Sequence, residues 1–224
     1  MAQGIGEVLT FAIGVAISPV PIIAVILMLF SHRAKVNGPM FLAGWVVALG
    51  AVSSIVYLVS DAGDASTDST AADGVSWAQI VFGVLLLLLA GRSWRNRPAP
   101  GSEPRMPPWM AGIDAFTPGK AFGLGVLLAG VNPKNLLLAA GAGSALAVVG
   151  PSTTEAVVSL IVFVVVGSLT IAGPVLFHLT GGDRAKASLD LAKGWLSVHN
   201  DAVMTVLFLV FGVNLIAKGI PPLT

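Results

Sequence analysis

The 224-residue sequence contains no cysteine, which excludes disulfides, thiol redox chemistry and Cys-ligated zinc together. Charge is nearly as scarce. Only 10% of residues are Asp, Glu, Lys or Arg, against roughly 25% in soluble domains. The 12 basic and 11 acidic residues almost balance, so there is no global basic face for nucleic acid. The apolar stretches hold no cluster of Asp, Glu or His at metal-ligand spacing, which argues against a divalent-metal site. They also lack a phosphate-binding loop and any acid–base or nucleophile constellation. The expectation is a protein that is not an enzyme and needs no cofactor.

What the sequence has is apolar length: 55% of residues are hydrophobic. A helix crossing the hydrocarbon core needs about 20 mostly apolar residues. Six stretches meet that length: 6–30, 37–60, 75–94, 120–149, 154–180 and 200–219. The first apolar run, Val8 to Phe30, is too long for a cleaved signal segment of roughly 7–15 residues and reads as a retained span. Each span must be helical, because lipid offers no partner to free backbone groups.

Lys and Arg mark cytoplasmic loops. The first loop carries Arg33 and Lys35, the third Arg92, Arg95, Arg97, Arg105 and Lys120, and the fifth Arg184, Lys186 and Lys193. The second holds Asp61, Asp64, Asp68 and Asp73 with no basic residue, and the fourth, around Gly150–Thr154, has none either. The alternation predicts a multi-pass protein of the plasma (inner) membrane with both termini outside; Lys218 is the one dissenter. Trp77, Trp94 and Tyr57 fall near span ends, where aromatic rings favour the interface.

The proline-rich stretch 95–119, with Pro98, Pro100, Pro104, Pro107, Pro108 and Pro118, reads as an irregular or extended cytoplasmic linker. It divides the chain into residues 1–94 and 120–224, three spans each, so the halves must have opposite orientations. Internal matches agree with that division. Ser18-Pro19 overlays Asn132-Pro133, Ser53-Ser54 overlays Gly167-Ser168, and Val81-Phe82-Gly83-Val84 overlays Val210-Phe211-Gly212-Val213. The predicted fold class is therefore an all-α membrane protein of six transmembrane helices in two inverted three-helix repeats, with Pro-broken first and fourth helices. Paired interruptions in corresponding spans point to a transporter binding site.

Proline inside a helix deletes one hydrogen bond and clashes with the preceding turn. Pro19 and Pro21, then Pro133, should free backbone groups near mid-bilayer, where they line a cavity or are bonded by neighbours such as Ser18 and Asn132. Lys134 is the only Asp, Glu, Lys or Arg well inside any span. Its insertion costs about 2.5–3.5 kcal/mol on translocon scales, and no intramembrane carboxylate is available to pair with it. Three readings follow: an anionic visitor, a deprotonated amine in an apolar pocket, or a lysine bonded to carbonyls freed in span one. Asn135 and Asn132 flank it as groups that both donate and accept, and Asn214 in span six is a lesser candidate. The substrate-binding set is thus Ser18, Pro19, Pro21, Asn132, Pro133, Lys134, Asn135 and Asn214. His178 reads as an interface residue. Gly119 with Gly123, and Gly141 with Gly143, read as close helix packing.

Ser18-Pro19-Val20-Pro21 together with Asn132-Pro133-Lys134-Asn135, in a six-span chain with a short acidic second loop, resembles the lysine exporter superfamily. Within it, the chain looks most like the actinobacterial glycopeptidolipid-addressing and sulfolipid-addressing branch. The resemblance extends over nearly the whole chain, although only the two motifs are specific. It implies export of a cell-envelope lipid or glycolipid from the plasma membrane, alone or as accessory to a larger lipid transporter. Partners are then membrane lipids and a lipid or anionic small-molecule substrate, with no nucleic acid, and a homodimer is one arrangement considered. The alternatives are an exporter of small amino acids or polar metabolites, a non-transporting scaffold for lipid-export machinery, and an intramembrane lipid-modifying enzyme for which no residue can be nominated.

Overall fold

A computed structural model describes residues 2–64, 69–97 and 108–220, apart from the side chains of 62–64, 69–79, 108, 109, 111, 183 and 218. Asp68, Arg105 and the linker prolines Pro98, Pro100, Pro104 and Pro107 lie outside the described residues. So do the side chains of Asp64, Asp73, Trp77 and Lys218. Among the described residues the chain is entirely helical.

Two of the helical runs are bent pairs. Helix α1, Ala2–Ala16, and α2, Pro19–Leu29, meet at 56°. The second pair comprises α5, Pro118–Val126, with the π-turn Leu127–Val131, followed by α6, Pro133–Val149, at 63°. Both bends lie immediately before a proline, whose ring forces the preceding residue out of the helical region. Ser18 is extended (φ −125, ψ 93), and Asn132 has ψ 121. Each proline then serves as the first residue of the next half-helix, where its missing N–H leaves no bond unmade.

Between the pairs run α3, Ala34–Asp64, and α4, Ser69–Asn96, and a 3-10 helix, Pro108–Ala115, leads into α5. That 3-10 turn occupies part of the linker expected to be irregular. The last run, Thr153–Gly219, is interrupted at Gly182, whose positive φ of 55 divides it into α7, Thr153–Gly182, and α8, Arg184–Ala217. The fifth loop is therefore nearly absent. Its Arg184, Lys186 and Lys193 ride on helix α8, because Ala, Leu and Lys favour helix and only glycine takes the reversal without strain. At 34 residues and about 1.5 Å each, α8 is roughly 50 Å long, well beyond a hydrocarbon core of about 30 Å.

Helices α3, α7 and α8 are each long and apolar enough to cross a bilayer, and each bent pair passes as a unit. Exposed apolar faces, such as Ile55, Leu58 and Val59 of α3 and Ile161, Val165 and Leu169 of α7, give the outer surface the character of a lipid-facing one.

Helices before and after the linker interleave. Helix α3 packs on α5 and α6, α1 on α6 and the last run, and α4 on the last run. The close approaches need glycine: a Cβ on Gly125 would collide with backbone of Phe41 and Trp45, and one on Gly44 with the Phe122 carbonyl. Gly119 and Gly123 were expected to mediate packing, but a methyl group on either would meet nothing within 4 Å, so the packing face of α5 is the one carrying Gly125. Gly141 and Gly143 do pack as expected, against Phe11 and the α3 backbone respectively. Helix α2 is enclosed, with Ile23, Ala24, Val25, Ile26, Met28 and Leu29 all buried.

Candidate functional site

The two helix breaks meet. Each interruption leaves carbonyls at the end of one half-helix without their usual i+4 donors, and side chains from distant elements take them up. The Lys134 ammonium donates to the Ile17 carbonyl at 2.8 Å. The Thr170 hydroxyl of α7 donates to the Ala16 carbonyl at 2.6 Å, which also receives the Ser18 N–H at 3.0 Å. Across the other break, Asn135 Nδ2 donates to the Leu128 carbonyl at 2.8 Å and reaches Ser18 Oγ at 3.5 Å.

These groups are deeply enclosed. Lys134 is 3% exposed, Asn135 0% and Ser18 3%. Pro19 and Pro21 are buried beside them, Asn132 is half-buried, and Pro133 is exposed. Asn132 acts on its own backbone, its Oδ1 accepting the Lys134 N–H at 3.1 Å as the N-cap of α6. Asn214 does not join the group: it is exposed on α8. His178 is half-buried, with a buried Nδ1 that lacks a partner among the described residues.

Lys134 is bonded to a carbonyl freed in the first broken helix, a contact that a charged and a neutral amine make alike. One N–H donor of Nζ is so engaged, and among the described residues Lys134 forms no ion pair with a carboxylate. The breaks bring helix ends of both signs together. Helices α2 and α6 begin there, each N-terminus carrying roughly +0.5 of an elementary charge, and α1 and the π-turn end there, each C-terminus carrying roughly −0.5. Ser18 makes no side-chain cap to α2, and Pro19 and Pro21 contribute no N–H there. The junction thus gathers the Lys134 amine and two positive helix ends, while carbonyls of the two negative ends are taken up by Lys134, Asn135 and Thr170.

Thr170 was not among the residues singled out from sequence. Its only local signal is a hydroxyl within an otherwise apolar run, Leu169-Thr170-Ile171. The acceptors, being backbone carbonyls of Ala16, Ile17 and Leu128, carry no side-chain signature at all. Among the described residues no three His, Asp or Glu side chains gather to hold a metal ion.

No curated protein and no solved structure matches the chain. The family model described as Sap, sulfolipid-1-addressing protein, matches residues 8–221. That range takes in both broken helices, the Lys134 junction between them and nearly all of the sequence, so the chain belongs to the Sap, sulfolipid-1-addressing protein, family.

Proposed function

We propose that this membrane protein is a translocator that exports an anionic amphiphile, of the sulfolipid or related envelope-glycolipid class, across or out of the plasma membrane. The carrying observation is Lys134: a lysine 3% exposed, midway along a broken helix, held by a backbone carbonyl of the other broken helix, which an arriving anion would hold in its charged form. A neutral carbonyl compensates an ammonium only in part, and a sulfate, phosphate or carboxylate head group would complete it. The converging N-termini of α2 and α6 favour the same charge, as do the half-helix N-termini of transporters with discontinuous helices.

The six-crossing reading belongs to this proposal. Helix α4, Ser69–Asn96, covers the stretch expected for the third span without being among the helices that pass as membrane-crossing among the described residues, and α7 and α8, which do pass, cover the fifth and sixth. Packing of the first pair on the last run, of α3 on the second pair, and of α4 on the last run supports two inverted three-helix repeats. With both termini outside, the basic loops would face the cytoplasm, and wider kinship with the lysine exporter superfamily is part of the same reading. A membrane potential negative inside then favours outward passage of one negative charge by about 2.3 kcal/mol per 100 mV.

The test is lipid profiling of the cell surface in a strain lacking the chain, complemented with wild type, Lys134→Ala or Lys134→Arg. Wild type and, in part, Lys134→Arg restore a missing anionic lipid; Lys134→Ala, folded and inserted, does not. Full export with Lys134→Ala overturns the role of this cation. Cytosolic accumulation of amino acids, with the surface lipids unchanged, replaces the lipid by a small polar substrate.

A further inference from the structure

The two ends of the bundle are closed differently. At one end α6 stops in a left-handed Gly150, and α7 starts in a capping box in which Ser152 and Glu155 satisfy each other's backbone groups. That turn is short. At the other end, beside His32 and Arg33, the 3-10 helix Pro108–Ala115 lies against α2. It inserts Met110 and Ile113 into the core, 5% and 2% exposed.

Among the described residues two polar contacts lie at this segment. Asn37 of α3, wholly buried, donates Nδ2 to the Phe116 carbonyl at 2.9 Å. Its Oδ1 has no partner among the described residues, so the amide is only half satisfied. His32 and Asp114, both well exposed, approach to 3.8 Å. Beneath lies α2, which runs from the helix breaks to this end, 11 residues or about 16 Å, half the thickness of a hydrocarbon core. Among its described side chains Met110 and Ile113 seat this short 3-10 turn, and a half-satisfied amide holds the residue that follows it; short surface segments of this kind belong to the part of a fold that opens locally before the whole unfolds.

We propose that Pro108–Ala115 is a strap gating passage between the Lys134 junction and the side of the membrane on which His32 and Arg33 lie. It lifts Met110 and Ile113 out of the core in one half of the transport cycle and reseats them in the other. The inference rests on the translocator reading.

Because the chain has no cysteine, Ser18→Cys gives a single thiol at the break, and its modification by a small charged thiosulfonate can be timed in inside-out and right-side-out vesicles. With the strap seated, modification from the strap side is slow. Adding Asn37→Leu and Ile113→Ser accelerates it at least about tenfold, the factor that matches 1.4 kcal/mol of weakened seating, and leaves modification from the opposite side unchanged. Where Ser18→Cys fails to insert, Val20→Cys serves in its place. Equal rates with and without the strap substitutions overturn the gate.

A second arm joins the strap covalently through His32→Cys and Asp114→Cys. Export stops on oxidation and returns on reduction; undiminished export by the cross-linked chain also overturns the proposal. The labelling arm does not depend on export, so a wrong substrate reading and a wrong gate give different results.

Discussion

Gly83 and Gly212 stand backbone to backbone. A side chain begun at Gly83 would lie 2.7 Å from the Gly212 carbonyl, and one begun at Gly212 would lie 2.9 Å from the Gly83 carbonyl. Each occupies the third place of a Val-Phe-Gly-Val run, so two segments matched by sequence alone are also in contact. Lipid tails are as apolar as the side chains they would compete with, so close backbone approach is a main source of helix association here. Gly83→Val or Gly212→Val should therefore cost about 1–3 kcal/mol by overpacking, read as a lower thermal midpoint in detergent. Gly91→Ala on the same α4, with nothing within 4 Å, is the control and should not lower it. Equal midpoints for all three would contradict this contact.

Lys134 invites a comparison of two opposing energies. Replacing it by Met removes an insertion penalty of about 2.5–3.5 kcal/mol and leaves the Ile17 carbonyl without its donor, a loss of about 1–3 kcal/mol. The two ranges overlap but the first has the larger midpoint, so Lys134→Met should be at least as resistant to unfolding as wild type while losing export. Replacement of buried charge by apolar side chains has this outcome elsewhere. A marked fall in the midpoint would instead identify Lys134 as a structural post.

Asn135 and Asn214 are chemically identical and differently placed. Asn135→Leu strands the Leu128 carbonyl in a partly buried position, which should cost about 1–3 kcal/mol. Asn214→Leu changes an exposed position on α8 and should stay within about 0.5 kcal/mol. Chemical unfolding of the two variants beside wild type separates them, and comparable losses would show that Asn214 is misplaced.

Single thiols also test the orientation. Lys186→Cys and Arg33→Cys should react with a membrane-impermeant maleimide only after the cytoplasmic face is opened, and Thr154→Cys in intact cells. All three positions are exposed, so an inert thiol would not be mistaken for a buried one. The reverse pattern would invert the topology while leaving the packing untouched.

The helices and both breaks were legible because they follow from local chemistry: long apolar runs, and proline after Ser or Asn, residues that readily bond to nearby backbone instead of continuing a helix. Proline alone is a weaker signal. Pro174, after Gly173, stays within the continuous helix of α7. Lys134 and Asn135 were legible because polar groups are rare in such runs. Their acceptors were not, since nothing in Ile17 or Leu128 as side chains announces a carbonyl waiting for a donor. Thr170 and Gly125 were missed for a related reason: what matters about each is a neighbour far along the chain. Asn214 was selected by residue type, and which side of α8 it lies on is decided by packing that its local sequence does not encode.

The bonds that close the first break come from donors 117 and 154 residues downstream, Lys134 and Thr170. Ribosomes deliver the chain from its N-terminus, so the Ala16 and Ile17 carbonyls enter the bilayer long before those donors exist. Until α6 and α7 arrive, the newborn first helix must shelter this junction in water, in the insertion machinery or against another protein. The first 94 residues made by themselves are thus an incomplete membrane protein, and supplying the remainder as a separate polypeptide should rescue them.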